Sequence, residues 1–176
     1  MNAPVIIDAR SPRAKQDGSA SDNWCTPTWF TDMLPPVDLD PFSNAHATVD
    51  ADTKWTLEAG DNGEATTWAG FRHAYWNPRY SNPKPACQRA ADHANFHGGE
   101  SIGLLKLDPT TQWWSVLVRG GATFYPLRKR VTFAPGPGLV TGCTANFPSV
   151  VVHLGPRRHF AGFLFDLVDQ GHAWRF

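Results

Sequence analysis

Seven consecutive residues in the middle of the chain, Ser101-Ile102-Gly103-Leu104-Leu105-Lys106-Leu107, carry almost no alternation between apolar and polar. A strand with one wet face alternates, whereas an unbroken apolar run suits a strand covered on both faces, as in a parallel sheet. Parallel neighbours need crossover segments, and the flanks supply them. Upstream, Pro83 to Phe96 places Ala86, Ala90, Ala91 and Ala94 among polar residues and ends at Gly98-Gly99, which predicts a helix. Downstream, Asp108-Pro109-Thr110-Thr111 breaks the run, and Gln112 to Val118 reads as a second helix closed by Gly120-Gly121. Further strands are expected over Val37 to Phe42, Phe71 to Trp76, Ala122 to Tyr125, Lys129 to Phe133 and Val150 to Leu154. Strand and helix alternate up to about Gly120, and strands then succeed one another. That order predicts an α/β fold with a mostly parallel, doubly wound sheet and an antiparallel edge.

In open α/β sheets, ligands gather at strand ends. The run Tyr75-Trp76 stops at Asn77-Pro78-Arg79-Tyr80-Ser81, where proline cannot continue a central ladder and Ser81 can cap the next helix. This stretch carries a specific chemistry. The Asn77 side-chain carbonyl and the carbonyl of Pro78, held by the ring, can both accept from one exocyclic amino group, which frees the nitrogen lone pair for attack on an electrophile. Tyr80 offers a ring on which a planar base can stack. An ordinary Asn-Pro turn is the plainer reading of the same four residues.

A second strand end lies at Asp38-Leu39-Asp40-Pro41, which brings the Asp40 carboxylate to a polar turn. Ser43-Asn44-Ala45-His46 comes next, where many nucleotide-binding folds have glycines, so a phosphate cradle is not supported. Asp50 to Gly63 is hard to assign, although Asp61-Asn62-Gly63 is a turn signal with an available carboxylate. Order is expected to begin near Asp22, with Thr26 as a helix cap, Pro27 at the first helical position, and Trp29, Phe30, Met33 and Leu34 at helical spacing before Pro35-Pro36. Residues 1–21 read as a flexible tail and 22–176 as one domain. Ala134 to Asn146 reads as a Gly/Pro-rich loop that is mobile or covers a ligand.

The formal net charge is +0, but its distribution is uneven. No Asp or Glu occurs from Pro109 to Phe165, a stretch that holds Arg119, Arg128, Lys129, Arg130, Arg157 and Arg158. That half suits a polyanion, and the acid-bearing half suits a small polar ligand. Cys25, Cys87 and Cys143 have no paired spacing and the histidines none that suits ligation, so neither a disulfide frame nor a metal site is expected. With no run approaching a membrane span and no signal-peptide pattern, a cytoplasmic protein is expected.

Taken in order, Trp24-x-Thr26-Pro27, Asp38-Leu39-Asp40-Pro41, Asp61-x-Gly63 with Trp68, Asn77-Pro78-x-Tyr80-Ser81, Trp113-Trp114 and Arg130-Val131-Thr132-Phe133 resemble the phage-encoded DNA N6-adenine methyltransferases of Dam type. The resemblance covers roughly residues 22–154. It implies a Rossmann-like, S-adenosylmethionine-dependent enzyme of a bacterial or phage-infected cell that flips an adenine out of DNA. It implies further that Asn77, Pro78 and Tyr80 hold and activate that adenine. Trp24, Thr26, Pro27, Asp40, Pro41 and Asp61 would meet the cofactor. From the charge distribution, Arg128, Lys129, Arg130, Arg157 and Arg158 are expected to hold the DNA backbone, with Arg79 as a further DNA contact. Trp113-Trp114 is assigned to core packing, with base stacking as the alternative. Arg79 departs from the family, which usually has a second proline there; it either loosens the acceptor loop or contacts a DNA phosphate. Two other readings stay open: an impaired, DNA-occupying protein of the same fold, and an amino-methyltransferase for cytosine N4, RNA or a protein amide.

Overall fold

The strands are β1 (Val37–Asp40), β2 (Ala51–Lys54), β3 (His73–Trp76), β4 (Glu100–Lys106), β5 (Thr123–Pro126), β6 (Thr132–Phe133), β7 (Cys143–Thr144) and β8 (Ser149–Leu154). The helices are α1 (Thr28–Thr31), α2 (Lys84–His97), α3 (Gln112–Arg119) and α4 (Ala161–Asp169), with one 3-10 turn at Leu57–Ala59. The computed structural model describes residues 24–136 and 142–174. The expected N-terminal tail and part of the Ala134 to Asn146 loop lie outside the described residues.

Six strands form one sheet in the order β2-β1-β3-β4-β8-β5. The first four run parallel, and the β4–β8 and β8–β5 pairings are antiparallel. The result is a mixed α/β fold with a mostly parallel sheet. The expected antiparallel edge is refined in one respect: the reversed strand is β8, one position in from the rim. Along β4 every residue but Lys106 is buried, as the unbroken apolar run requires.

Neighbouring residues on a strand point to opposite faces, and the two cores obey that alternation. Tyr75, Ile102, Leu104 and Val151 enter one core with Phe30, Phe163 and Leu164 from α1 and α4. Ala74, Trp76, Val150 and Val152 enter the other, with Ala86, Ala90 and Ala91 of α2 and Trp113 and Leu117 of α3. The α2 alanines keep that helix low, and the large volume comes from Trp68 and Trp76, both fully buried. Truncating either indole would cost about 3–5 kcal/mol. Gly103 is required here, because a Cβ at that position would collide with the Trp76 indole. Trp113 is buried in this core and Trp114 stacks on Phe124 at 4.0 Å, which places the tryptophan pair in packing.

Several expected boundaries move. Thr26 does not cap α1: Pro27 occupies the cap position with extended backbone and no side-chain cap. The helix proper is one turn long, continued only by Leu34 N–H donating to the Phe30 carbonyl before the prolines end it. The cap position of α2 is likewise Pro83 and not Ser81. Part of the unassigned Asp50 to Gly63 stretch is β2, paired in parallel with β1. The strand expected over Lys129 to Phe133 shortens to β6, which pairs with β7 in a separate two-stranded sheet. Helix α4 is an addition to the expected elements. No helix among the described residues is long and apolar enough to cross a membrane.

Candidate functional site

Chain order sets where a ligand can sit. From β1 the chain moves outward to β2, returns past β1 to β3, and continues to β4. Successive connections therefore diverge between β1 and β3, which leaves a crevice beyond their carboxyl ends. Asp40 closes β1, and Asn77 comes directly after the last residue of β3.

Two adjoining cavities occupy this crevice. Trp24, Thr26, Asp40, Tyr75 and Asn77 line the smaller. Pro41, Ser43, Trp55, Asp61, Asn77 and Arg79 line the larger, which has a volume of about 120 Å³. Phe42, Asn44 and Asn77 belong to both walls, so the two form one cleft. Of the six residues expected to meet a cofactor, five line it; Pro27 stays behind the wall at the start of α1.

The side chains of this cleft are tied to one another. Thr26 Oγ1 lies 2.6 Å from the Tyr75 phenol oxygen, and Asn77 Nδ2 donates to the same Thr26 oxygen at 3.3 Å. Freed from capping a helix, the Thr26 hydroxyl instead orients a side chain 51 residues away. With the Asn77 amide nitrogen committed, its carbonyl oxygen takes up no hydrogen bond among the described residues, and neither does the Pro78 carbonyl. Asn77 lines both cavities, so its oxygen remains available to a ligand, whereas Pro78 is buried and lines neither cavity.

Asp40 is 3% exposed, with Phe42 N–H donating to its Oδ1 at 3.2 Å. Burial pushes its carboxyl up to about 6, and neither that bond nor the charge of Lys54 offsets the lost solvation. Beside it the buried Ser43 hydroxyl approaches the Asp40 carboxylate and tempers the rise without completing a hydrogen bond. An acid short of a cation and a hydroxyl short of a partner suit a ligand that brings an ammonium and hydroxyl groups. Asp61 adds a second carboxylate, with one oxygen taken by Thr56 N–H at 3.1 Å. Gly63 packs so closely on the Pro41 carbonyl that any side chain there would displace the wall.

Arg79 is held in place. Its Nη2 meets Glu64 Oε1 at 3.0 Å, joining the loop after β3 to the loop after β2 across the larger cavity. Tyr80 stands apart from Asn77: its phenol donates to the Leu104 carbonyl at 3.2 Å, and its ring meets Phe133 and Phe147 edge-on. Burial raises the phenol far above its ordinary value, which leaves it a permanent donor. It lines a neighbouring cavity of about 270 Å³ with Pro83, Lys84, Lys106 and Trp113.

The six expected DNA cations split into groups. Pro126 pairs with Val150, which lies opposite Leu105 near the carboxyl end of β4, so Arg128, Lys129 and Arg130 emerge at the same end of the sheet as Asn77. Strand β8 runs the other way, and Arg157 and Arg158 leave at the amino end of β4, where Arg158 N–H donates to Glu100. Only the first three and Arg79 therefore share an end of the sheet with Asn77. Sequence reasoning passed over Phe42, Ser43, Asn44, Trp55 and Glu64. Only the position of Ser43 and Asn44 directly after a strand end signalled them.

Comparison with known proteins adds the family context. The family model described as DNA N-6-adenine-methyltransferase (Dam) matches residues 13–160. A protein of Haemophilus phage HP1 (strain HP1c1) named DNA N-6-adenine-methyltransferase is 30% identical over 157 residues, covering 86% of this chain and 88% of the relative. No solved structure matches the chain significantly.

Proposed function

Because the chain belongs to the DNA N-6-adenine-methyltransferase (Dam) family and is thus an adenine-specific DNA methyltransferase, we propose that S-adenosylmethionine is its donor and that Asn77, Pro78 and Tyr80 act on an adenine flipped out of the duplex. The observation that carries this reading is the bond from Asn77 Nδ2 to Thr26 Oγ1, which leaves the Asn77 carbonyl oxygen unoccupied on a residue that lines the cleft. In this reading the sheet is Rossmann-like in its use, with the cofactor lying across the ends of β1 and β3.

The residues present fit such a cofactor. Asp40 would receive its ammonium, Ser43 and Asp61 its hydroxyls, and Trp55 and Phe42 would bound its planar ring; Trp24, Thr26 and Pro41 complete the walls. Pro27 acts indirectly, by setting the turn that presents Thr26. When bound, the cofactor supplies an electrophilic methyl group on a sulfonium.

The chain's own contribution is placement and electrostatics. Extruding a base costs a few kcal/mol, which contacts from Arg79, Arg128, Lys129 and Arg130 to the DNA backbone would offset. The adenine ring enters on the Tyr80 side, and its amino group donates to Asn77 Oδ1 and the Pro78 carbonyl. Two fixed acceptors draw the N–H bonds out of conjugation with the ring, which localises the lone pair on nitrogen. The proton that the nitrogen sheds as it takes the methyl group passes to solvent, so no side chain with a tuned pKa is needed, in keeping with a Tyr80 phenol that stays protonated.

Asn77→Ala tests the assignment. Transfer, read as N6-methyladenine by nucleoside mass spectrometry of product DNA, should fall at least 100-fold, because a positioned acceptor contributes roughly that much. Cofactor affinity by calorimetry should survive within a few-fold. Lost cofactor affinity with unimpaired turnover at saturation would assign Asn77 to the cofactor instead, and N4-methylcytosine as the product would move the target base.

A further inference from the structure

A second cleft opens on the same end of the sheet, outside the cavities already assigned. It has a volume of about 370 Å³, and its walls include Trp29, Lys129, Arg130, Thr132, Gln170 and His172. Three observations make it a nucleotide-sized site rather than a gap between loops. Its walls contain cations and no carboxylate, and among the described residues neither Lys129 nor Arg130 is paired with an acid. One wall is a ready-made aromatic platform, with Trp29 stacked on His172 at 4.8 Å between ring centres and 20° between planes. Beside it the Arg128 guanidinium lies 4.1 Å over the ring of Trp174, which is 49% exposed.

Cations that track a backbone next to stacked rings are the ingredients of single-strand recognition, in which phosphates pair with the cations and a base lies on the ring. Its position relative to Asn77 sets which nucleotide it takes. Thr26 touches Asn77, and Trp29 lies three residues further along the chain, at most roughly 10 Å away. A DNA strand advances about 3.4 Å per nucleotide along a duplex. The cleft is therefore within a few nucleotides of a base held at Asn77.

We infer that this cleft binds a second, unstacked nucleotide of the methylated strand, close to the target adenine: Lys129 and Arg130 hold its phosphates, and the Trp29–His172 platform takes its base. The inference rests on the reading of Asn77 as the target-base residue for the nucleotide's identity, but the chemistry of the cleft is testable without methylation. Oligothymidylate serves as the probe, because it is single-stranded and presents a stacking base at every position.

Binding of oligothymidylate to the full chain is measured over a salt series for the wild type, Trp29→Ala, His172→Ala and the double variant Lys129→Gln/Arg130→Gln. Trp29 borders the core, so His172→Ala is the second aromatic variant, and an unchanged thermal midpoint checks folding in each. Removing the two cations should reduce the slope of log affinity against log salt by about 1.4. Removing an aromatic should weaken binding about 5- to 150-fold with the slope unchanged, because stacking releases no counterions. Unaltered affinity in both aromatic variants, or an unaltered slope in the cation variant, overturns the inference. Failure of the methylation reading is seen separately, as product DNA without N6-methyladenine from a protein that still binds oligothymidylate.

Discussion

Asp40 is the residue whose environment is least favourable to itself. A carboxylate that titrates near 6 because it is desolvated must be charged at neutral pH to receive an ammonium, so the free protein carries a cost of about 3 kcal/mol there. Asp40→Asn keeps an acceptor for the Phe42 N–H and removes the charge. It should stabilise the fold at pH 7.5 by up to about 3 kcal/mol, read as a higher urea unfolding midpoint, while binding of the proposed donor S-adenosylmethionine by calorimetry falls beyond detection. A variant that loses stability instead would mean that Asp40 supports the fold. This carboxylate was visible as an acid at a strand end. Its isolation was not, because burial depends on residues such as Tyr75 and Asn77 that reach it only through the fold.

At the scale of elements, α4 shows how a segment with no cap of its own is held. Its cap position is Phe160 and no side chain caps it. Glu100, at the start of β4 and 2% exposed, substitutes for one: its carboxylate accepts from the N–H groups of Arg158, His159 and Phe160 and from His153 Nε2. Although burial opposes the charge, these donors hold the carboxyl below its ordinary value. An anion at a helix start is also favoured by the helix dipole. Glu100→Ala leaves several buried donors unmatched and should cost at least about 3 kcal/mol. Hydrogen exchange should show the earliest loss of protection in α4 and β8; uniform loss across the sheet would refute a local anchor. α4 was not among the elements expected from the sequence, and its start carries no local signal, because the capping acid lies some sixty residues upstream.

For the molecule as a whole, two of the buried titratable groups act on the acid response in opposite senses, on top of the acid loss that the lowered Glu100 and His153 bring. His93 is fully buried, the Trp68 and Arg72 carbonyls approach it without completing a hydrogen bond, and burial lowers its pKa to about 4. A depressed histidine gives stability that is complete above its ordinary value of 6.5 and is lost as pH falls towards 4, about 3 kcal/mol in total. Asp40, raised from 3.8 to about 6, does the reverse: the folded state gains relative stability as pH falls through 6. The two contributions nearly cancel between pH 6.5 and 4. Urea titrations over that window should therefore give a flat curve from this pair in the wild type. Relative to the wild type, they should give a steep acid loss in Asp40→Asn and an acid gain in His93→Leu, and parallel profiles for all three proteins would contradict the assignment.

Local signals were enough for the element types near the middle of the chain and for the Asn-Pro turn that ends β3. Apolar spacing, glycine stops and an Asn-Pro turn are local signals, and local geometry acts on them directly. The sequence by itself also marked Asp40, Asp61 and the acid-free half. Only the tertiary structure decided that the Thr26 hydroxyl holds the Asn77 amide, that Arg79 is tied to Glu64, and that Arg157 and Arg158 leave by the far end of the sheet. The reason is strand order and direction: the reversal at β8 sends one basic pair away from the cleft, and the return from β2 to β3 brings distant residues to the same strand ends.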